Sequence, residues 1–166
     1  WYKMLADNSE KKLWAYTSGN WAQRMDAKFI SKIKDINNFE GVKYSTSNIV
    51  DLQEVSLLQD ENFQVISAVI KTFFSALSLG LNASTSIEGM LFYDHINSIY
   101  ECFKNNDLKG ALKLQNFLNT ELLTYPSPAA KDNFLRSSEI KYILFKNNII
   151  YSDDVSLYYR KLNVSE

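Results

Sequence analysis

The feature that most constrains the fold is a change of rhythm near residue 85. Between Trp1 and about Thr85, short apolar runs of strand length alternate with longer amphipathic runs, the pattern of β-α units that feed a parallel sheet. Four runs have strand character: Leu13 to Tyr16, Gly41 to Tyr44, Phe63 to Ser67, and a weaker one at Ala83 to Thr85. Between them, Asp26 is a cap for a predicted helix reaching about Ile36, with Phe29, Ile30, Ile33 and Ile36 on one apolar stripe. A second predicted helix, Ser47 to about Leu58, turns Ile49, Val50, Leu52, Val55 and Leu58 inward; a third runs from Lys71 to Leu79 and stops at Gly80. After Gly89 the strands cease. Helical runs follow at Met90 to Asn105, Asp107 to Tyr125, about Ala129 to Asn147 beyond Pro126-Ser127-Pro128, and Asp153 to Leu162 with Ser152 as cap.

Composition narrows the classes of function. Of 166 residues, 46% are hydrophobic and 2 are proline, enough apolar material for a sizeable core. A formal charge of −1, from 18 basic and 19 acidic residues, offers no electrostatic footprint for a nucleic-acid backbone. One cysteine, Cys102, and one histidine, His95, speak against an intrachain disulfide and a Cys- or His-built metal centre. No window reaches the roughly 20 apolar residues of a membrane span, and the first residues lack the apolar stretch of a signal peptide. The expectation is a reduced, cytoplasmic, metal-free chain with no membrane or nucleic-acid partner. Two glycosylation-type triplets, at Asn82 and Asn163, read as chance matches.

Lys43 is the first candidate for chemistry, because it ends an apolar strand run instead of lying on a helix face. Burial lowers the pKa of an ammonium group, which is what a lysine needs to attack a carbonyl and form a Schiff base. On pattern alone the commoner alternative is a lysine that snorkels from a strand end to solvent. Tyr16 ends the preceding strand run, so in a parallel array both emerge at the C-terminal edge of neighbouring strands, where such folds build active sites. A phenol there can relay protons during C–C bond cleavage or formation, although any one of 10 tyrosines is more often a packing residue. His95 and Cys102 read as structural: an unpaired helix histidine and a small core thiol. Phe73-Phe74 and Tyr158-Tyr159 read as packing residues.

Four segments together carry a family likeness: Ala15-Tyr16-Thr17-Ser18-Gly19, Asn38-Phe39-Glu40-Gly41-Val42-Lys43-Tyr44-Ser45-Thr46, Gly80-Leu81-Asn82-Ala83-Ser84-Thr85-Ser86, and Asn106 to Gln115. In this order, with Tyr16 and Lys43 separated by 27 positions, the chain from Trp1 to about Leu123 resembles the C-terminal half of the N-acetylneuraminate lyase and dihydrodipicolinate synthase family. These are pyruvate-dependent class I Schiff-base aldolases on a TIM barrel. The resemblance implies an α/β fold: strands five to eight of a (β/α)8 TIM barrel over residues 1–89, then the last barrel helix and a C-terminal helical bundle over 90–166. It implies Lys43 as the imine-forming residue, Tyr16 as the proton relay, and Ser45, Thr46 and Thr85 as substrate contacts. No cofactor or metal is required, the partners are a 2-keto acid (pyruvate) and an aldehyde, and the family likeness implies a homotetramer or dimer of dimers.

The chain departs from the family pattern at several positions. Gly19 and Thr17 stand where the family has Pro and Asn, and Trp21 occupies the position of the synthase branch's carboxylate-binding arginine, with Arg24 off register. This argues against dihydrodipicolinate synthesis. The hydroxyl-binding acidic turn of the lyases is replaced by Ala68-Val69-Ile70-Lys71, and the stretch Ser86 to Gly89 is short. These losses keep a catalytically impaired homologue with an assembly or regulatory role in view, beside dihydrodipicolinate synthase itself as a further alternative and, as a generic reading, a helical interaction domain over residues 90–166. The helical interaction domain would gain if Lys43 lay far from Tyr16. A complete barrel needs about 250 residues, and the match begins mid-barrel at a Trp1 that is not an initiator methionine. The expectation is a piece of a longer enzyme, inactive in isolation. The count of 5 glycines fits an absent Gly-rich carboxylate loop.

Overall fold

The computed structural model describes residues 1–18, 25–124, 127, 135–156 and 159–162. Helix α1 (Tyr2–Asp7) leads into β1 (Leu13–Ser18), α2 (Ala27–Lys34), β2 (Phe39–Ser45), α3 (Ile49–Ser56), β3 (Gln64–Ser67) and α4 (Phe73–Ser78). The helices α5 (Tyr93–Lys104), α6 (Leu108–Thr120) and α7 (Arg136–Lys146) follow. The three strands form one parallel sheet in the order β1-β2-β3. The fourth predicted strand is reduced to a single parallel bridge, Ser67 to Ser84. Its two flanking bonds, Ser67 N–H to Ala83 O at 3.2 Å and Thr85 N–H to Ser67 O at 2.9 Å, still extend the sheet in the expected direction.

Local chemistry explains where these elements start and stop. Asp26 Oδ1 accepts from Phe29 N–H at 2.7 Å, and Asp107 Oδ1 from Gly110 N–H at 2.9 Å, each satisfying an orphan donor of the first helical turn. Helix α3 starts slightly later than its periodicity predicts because Asn48, not Ser47, caps it, accepting from Val50 N–H at 3.0 Å. Gly80 ends α4 at φ +84°, the left-handed geometry a glycine adopts without cost. Asn38, at φ +81°, donates through Nδ2 to Ser9 O and Lys11 O, both at 2.9 Å, and so ties the entry of β2 to the entry of β1.

Register divides the sheet into two faces. Ala15 pairs with Val42 and Val42 with Val65; Thr17 pairs with Tyr44 and Tyr44 with Ser67. All six are buried, and the apolar ones pack with Ile30 and Ile33 of α2 and Leu52 and Val55 of α3. The alternate residues form the other face, Trp14 with Gly41 and Gln64, then Tyr16 with Lys43 and Ile66. A second core joins Ile99, Ala111 and Leu118 of α5 and α6 to Ile70, Phe73 and Leu77. Helix α4 serves both, since its Ala76 packs in the first.

Three expectations are corrected. Phe29, Ile49 and Val50 are exposed, because the stripes that meet the sheet are carried by Ile30 and Ile33 of α2 and by Leu52 and Val55 of α3. Helix α5 begins at Tyr93, after a short 3-10 turn at Glu88–Met90. No helix forms over 153–156 or 159–162. There Asp154 N–H bonds to Ser152 Oγ at 3.1 Å, Asp154 O accepts from Lys141 Nζ at 2.6 Å, and Arg160 O accepts from Ser138 Oγ of α7. Polar groups that would have closed a helical ladder are engaged locally and with α7 instead. Gly19, Trp21, Arg24, Pro126 and Pro128 lie outside the described residues, as do residues 129–134 of the predicted third helix of the tail. No described helix is long and apolar enough to cross a membrane.

Candidate active site

Parallel register brings the two chemical candidates together, because Tyr16 and Lys43 are direct cross-strand partners. Lys43 Nζ lies 4.5 Å from the centroid of the Tyr16 ring, a cation–π approach. Both line a cavity of about 770 Å³ at the C-terminal edge of the sheet, together with Ser45, Thr85, the Ala68–Lys71 segment after β3, and Ser86 to Glu88. This nearness removes the ground for reading the strands as incidental to a helical interaction domain.

The five sequence candidates do not all converge. Tyr16, Lys43, Ser45 and Thr85 face the cavity. Thr46 is not among its lining residues: its Oγ1 accepts from Asn48 N–H at 3.1 Å and shapes the turn into α3. Thr17 lies on the opposite, buried face, where its hydroxyl accepts from Met25 N–H at 3.1 Å and fixes the return of the chain toward α2. His95 Nε2 lies 2.8 Å from Leu114 O and its ring packs near Phe117, while Cys102 packs against the helical core, so both have the structural roles expected of them.

Sequence reasoning missed four side chains that shape the cavity, Arg136, Glu88, Gln115 and Asn119. Arg136, the first residue of α7, reaches Glu88 Oε1 at 3.1 Å across 48 positions of chain. Glu88 is held on its other oxygen by Ser86 Oγ. Gln115 of α6, nearly fully buried, accepts from Phe74 N–H at 2.8 Å and donates to Ile70 O at 3.2 Å, while Asn119 donates to Lys71 O at 3.0 Å. These amides hold the segment that forms one wall of the cavity. The signal available for Gln115 was a polar residue on the inward side of an amphipathic helix; none pointed to Arg136.

A larger concavity, about 860 Å³, lies at the opposite end of the strands. Its lysines are matched by carboxylates: Lys12 pairs with Glu40 at 3.5 Å and Lys34 with Asp60 at 2.5 Å. The Lys34 hydrogen bond, helped by Asn62 N–H, holds the Asp60 carboxyl below its usual range. Among the described residues neither Lys43 nor Lys71 forms an ion pair. With no carboxylate holding its amines, the smaller cavity suits nucleophilic chemistry better.

No protein-family model matches the chain. It is 25% identical over 129 residues to 4-hydroxy-tetrahydrodipicolinate synthase 2 of Clostridium acetobutylicum, covering 77% of the chain and 43% of that protein. It is 22% identical over 131 residues to 4-hydroxy-tetrahydrodipicolinate synthase of Oceanobacillus iheyensis, covering 76% and 44%. Among solved structures, the 2-keto 3-deoxygluconate aldolase from Picrophilus torridus matches with a TM-score of 0.72 at 25% identity, over 89% of this chain and 52% of that one. The dihydrodipicolinate synthase from Bacteroides thetaiotaomicron matches with a TM-score of 0.79 at 19% identity, over 98% and 55%. The chain thus spans less than half the length of the curated relatives it matches. By the order of its segments and by its fold, the chain is similar to members of the N-acetylneuraminate lyase and dihydrodipicolinate synthase family.

Proposed function

We propose that this chain carries the Schiff-base machinery of a pyruvate-dependent class I aldolase or lyase, closest in kind to N-acetylneuraminate lyase. The observation that carries the reading is the in-register pairing of Tyr16 and Lys43, with Nζ over the phenol ring, in one cavity at the C-terminal edge of a parallel sheet.

In the synthetic direction neutral Lys43 Nζ attacks the C2 carbonyl of pyruvate, and the carbinolamine loses water to an iminium ion. A C3 proton leaves to give the enamine, whose C3 attacks the aldehyde carbon, and the new alkoxide takes a proton delivered through Tyr16. Water then hydrolyses the iminium and releases the 2-keto acid. Cleavage is the reverse: Tyr16 removes the C4 hydroxyl proton, the C3–C4 bond breaks, and its electron pair is received by the iminium. The imine itself is the electron sink, so the step requires neither metal nor organic cofactor. Ser45 and Thr85, which line the same cavity, are assigned as contacts of the 2-keto acid in this proposal; Thr46 acts at one remove, by shaping the turn after β2.

The same reading makes residues 1–89 the second half of a barrel and 90–166 its last helix and the C-terminal helices. Two features support the half-barrel: strand β1 has one neighbour among the described residues, and the face bearing Trp14 and Tyr16 stands open, at 40% and 48% exposure. We take the whole enzyme to be a cytoplasmic homotetramer or dimer of dimers. Borohydride trapping with pyruvate, read by intact mass on the product of the complete reading frame, tests the function. One reduced adduct is expected, lost in Lys43→Ala together with at least about 1,000-fold of turnover. No adduct, or an adduct that survives the substitution, overturns the proposal in favour of an impaired homologue. Aldolase turnover by the isolated 166 residues would overturn the half-barrel.

A further inference from the structure

We propose that Arg136 determines specificity in this cavity, by receiving the anionic end of the aldehyde partner, and that Glu88 is the resting counter-ion from which the substrate takes it. The inference rests on the aldolase reading for its reaction, but not for its anion site.

Among the described residues three cationic side chains line the cavity, Lys43, Lys71 and Arg136, against the single carboxylate of Glu88. Lys43 is committed to the imine, whose positive charge is balanced by the carboxylate of the bound 2-keto acid. Lys71 and Arg136 then leave the cavity with one positive charge beyond Glu88, a balance that favours an anionic second substrate. Arg136 is the better receiver of the two, since a planar guanidinium matches a carboxylate or phosphate with two parallel N–H bonds. Its ion pair with Glu88 uses one nitrogen at 3.1 Å, and the Arg136 side chain is 50% exposed. A half-exposed pair with one such contact contributes little to stability and exchanges readily for a better-fitting anion.

Glu88 is placed to yield the arginine without collapsing. Its second oxygen accepts from Ser86 Oγ, and its backbone N–H donates to the same hydroxyl at 3.0 Å. The carboxylate therefore keeps its position when Arg136 swings to a ligand. A purely structural pair would behave differently, because removing either partner would then weaken the cavity in the same direction.

The test uses the product of the complete reading frame, with pyruvate as nucleophile and two matched aldehyde pairs: succinic semialdehyde against butanal, and glyceraldehyde 3-phosphate against glyceraldehyde. The readout is the ratio of kcat/KM for the anionic over the neutral member. Arg136→Gln lowers this ratio about 10- to 100-fold, the range of a charge-assisted hydrogen-bond pair, and Arg136→Lys restores part of it. Glu88→Gln, which keeps an acceptor for Ser86 but removes the competing charge, raises the ratio about 3- to 10-fold. The pair whose ratio falls further in Arg136→Gln identifies the anion as carboxylate or phosphate. An unchanged ratio in Arg136→Gln, or a fall in both variants, overturns the proposal. If no pyruvate imine is trapped, the aldolase reading fails by itself and the anion site is read by calorimetric titration with succinate and glycerol 3-phosphate. A Kd raised about 10- to 100-fold by Arg136→Gln then sustains the site; an unchanged Kd, or no binding to the wild-type protein, refutes it.

Discussion

The two faces of the sheet follow opposite rules. On the outer face Val42, Val65, Leu52 and Val55 are fully buried, and the strands meet α2 and α3 in a closed core. On the inner face, one residue away along the same strands, Trp14 and Tyr16 are large, aromatic and open to solvent. One chain segment therefore has a finished side and an unfinished one. The finished side provides the stability that holds Tyr16 and Lys43 in register, and the unfinished side holds the chemistry. Substitutions on the outer face should cost stability first, and those on the inner face should cost activity first.

The largest stability effect is expected from Leu52→Ala, which empties a fully buried position against the outer face. A loss of about 2 to 5 kcal/mol, read from denaturant midpoints, follows from the lost transfer energy and the residual cavity. A loss below about 1 kcal/mol would mean that α3 is not a true lid on the sheet. Gly41→Ala probes the boundary between the faces. A Cβ there would press on Gln64 O and on the Trp14 ring, and the carbonyl cannot step aside, so about 1 to 3 kcal/mol is expected. A thermal melt unchanged by Gly41→Ala would show that β2 and β3 can part without penalty. The smallest effect belongs to Tyr16→Phe: on this half-exposed ring the melting curve should move by no more than about 0.5 kcal/mol equivalent, while turnover falls about 100-fold or more. Loss of stability without loss of turnover would reverse the assignment of the two faces.

Much of this was legible in the chain because its signals are local. Ile30 and Ile33 of the α2 stripe, its Asp26 cap, the stop at Gly80 and the three strand runs depend on residues two to four positions apart, and these appear where the periodicity puts them, whereas Phe29 of the same stripe is exposed. Failures occurred where local and distant partners compete. The Ser152-Asp153-Asp154 stretch has a good capping pattern, yet Lys141 of α7 draws the Asp154 carbonyl away and Ser138 that of Arg160 further on. Val50 satisfies the helical spacing of an inward residue, but the sheet meets α3 on the stripe of Leu52 and Val55, leaving Val50 outside.

The sequence by itself determined the order and type of the elements, and through the period of the strands it put Tyr16 and Lys43 at one sheet edge. A period-two pattern decides which residues share a face, and a parallel array decides which end they share. Only the tertiary structure decided what else reaches that edge. Arg136 lies 93 positions beyond Lys43 in the chain, and Gln115 grips the cavity wall from 41 and 45 positions away. No spacing rule links such residues, since their meeting depends on how α6 and α7 pack after the chain has closed long loops. The register of the strands was thus written locally, while the charge balance of the cavity was set by the packing of the helices.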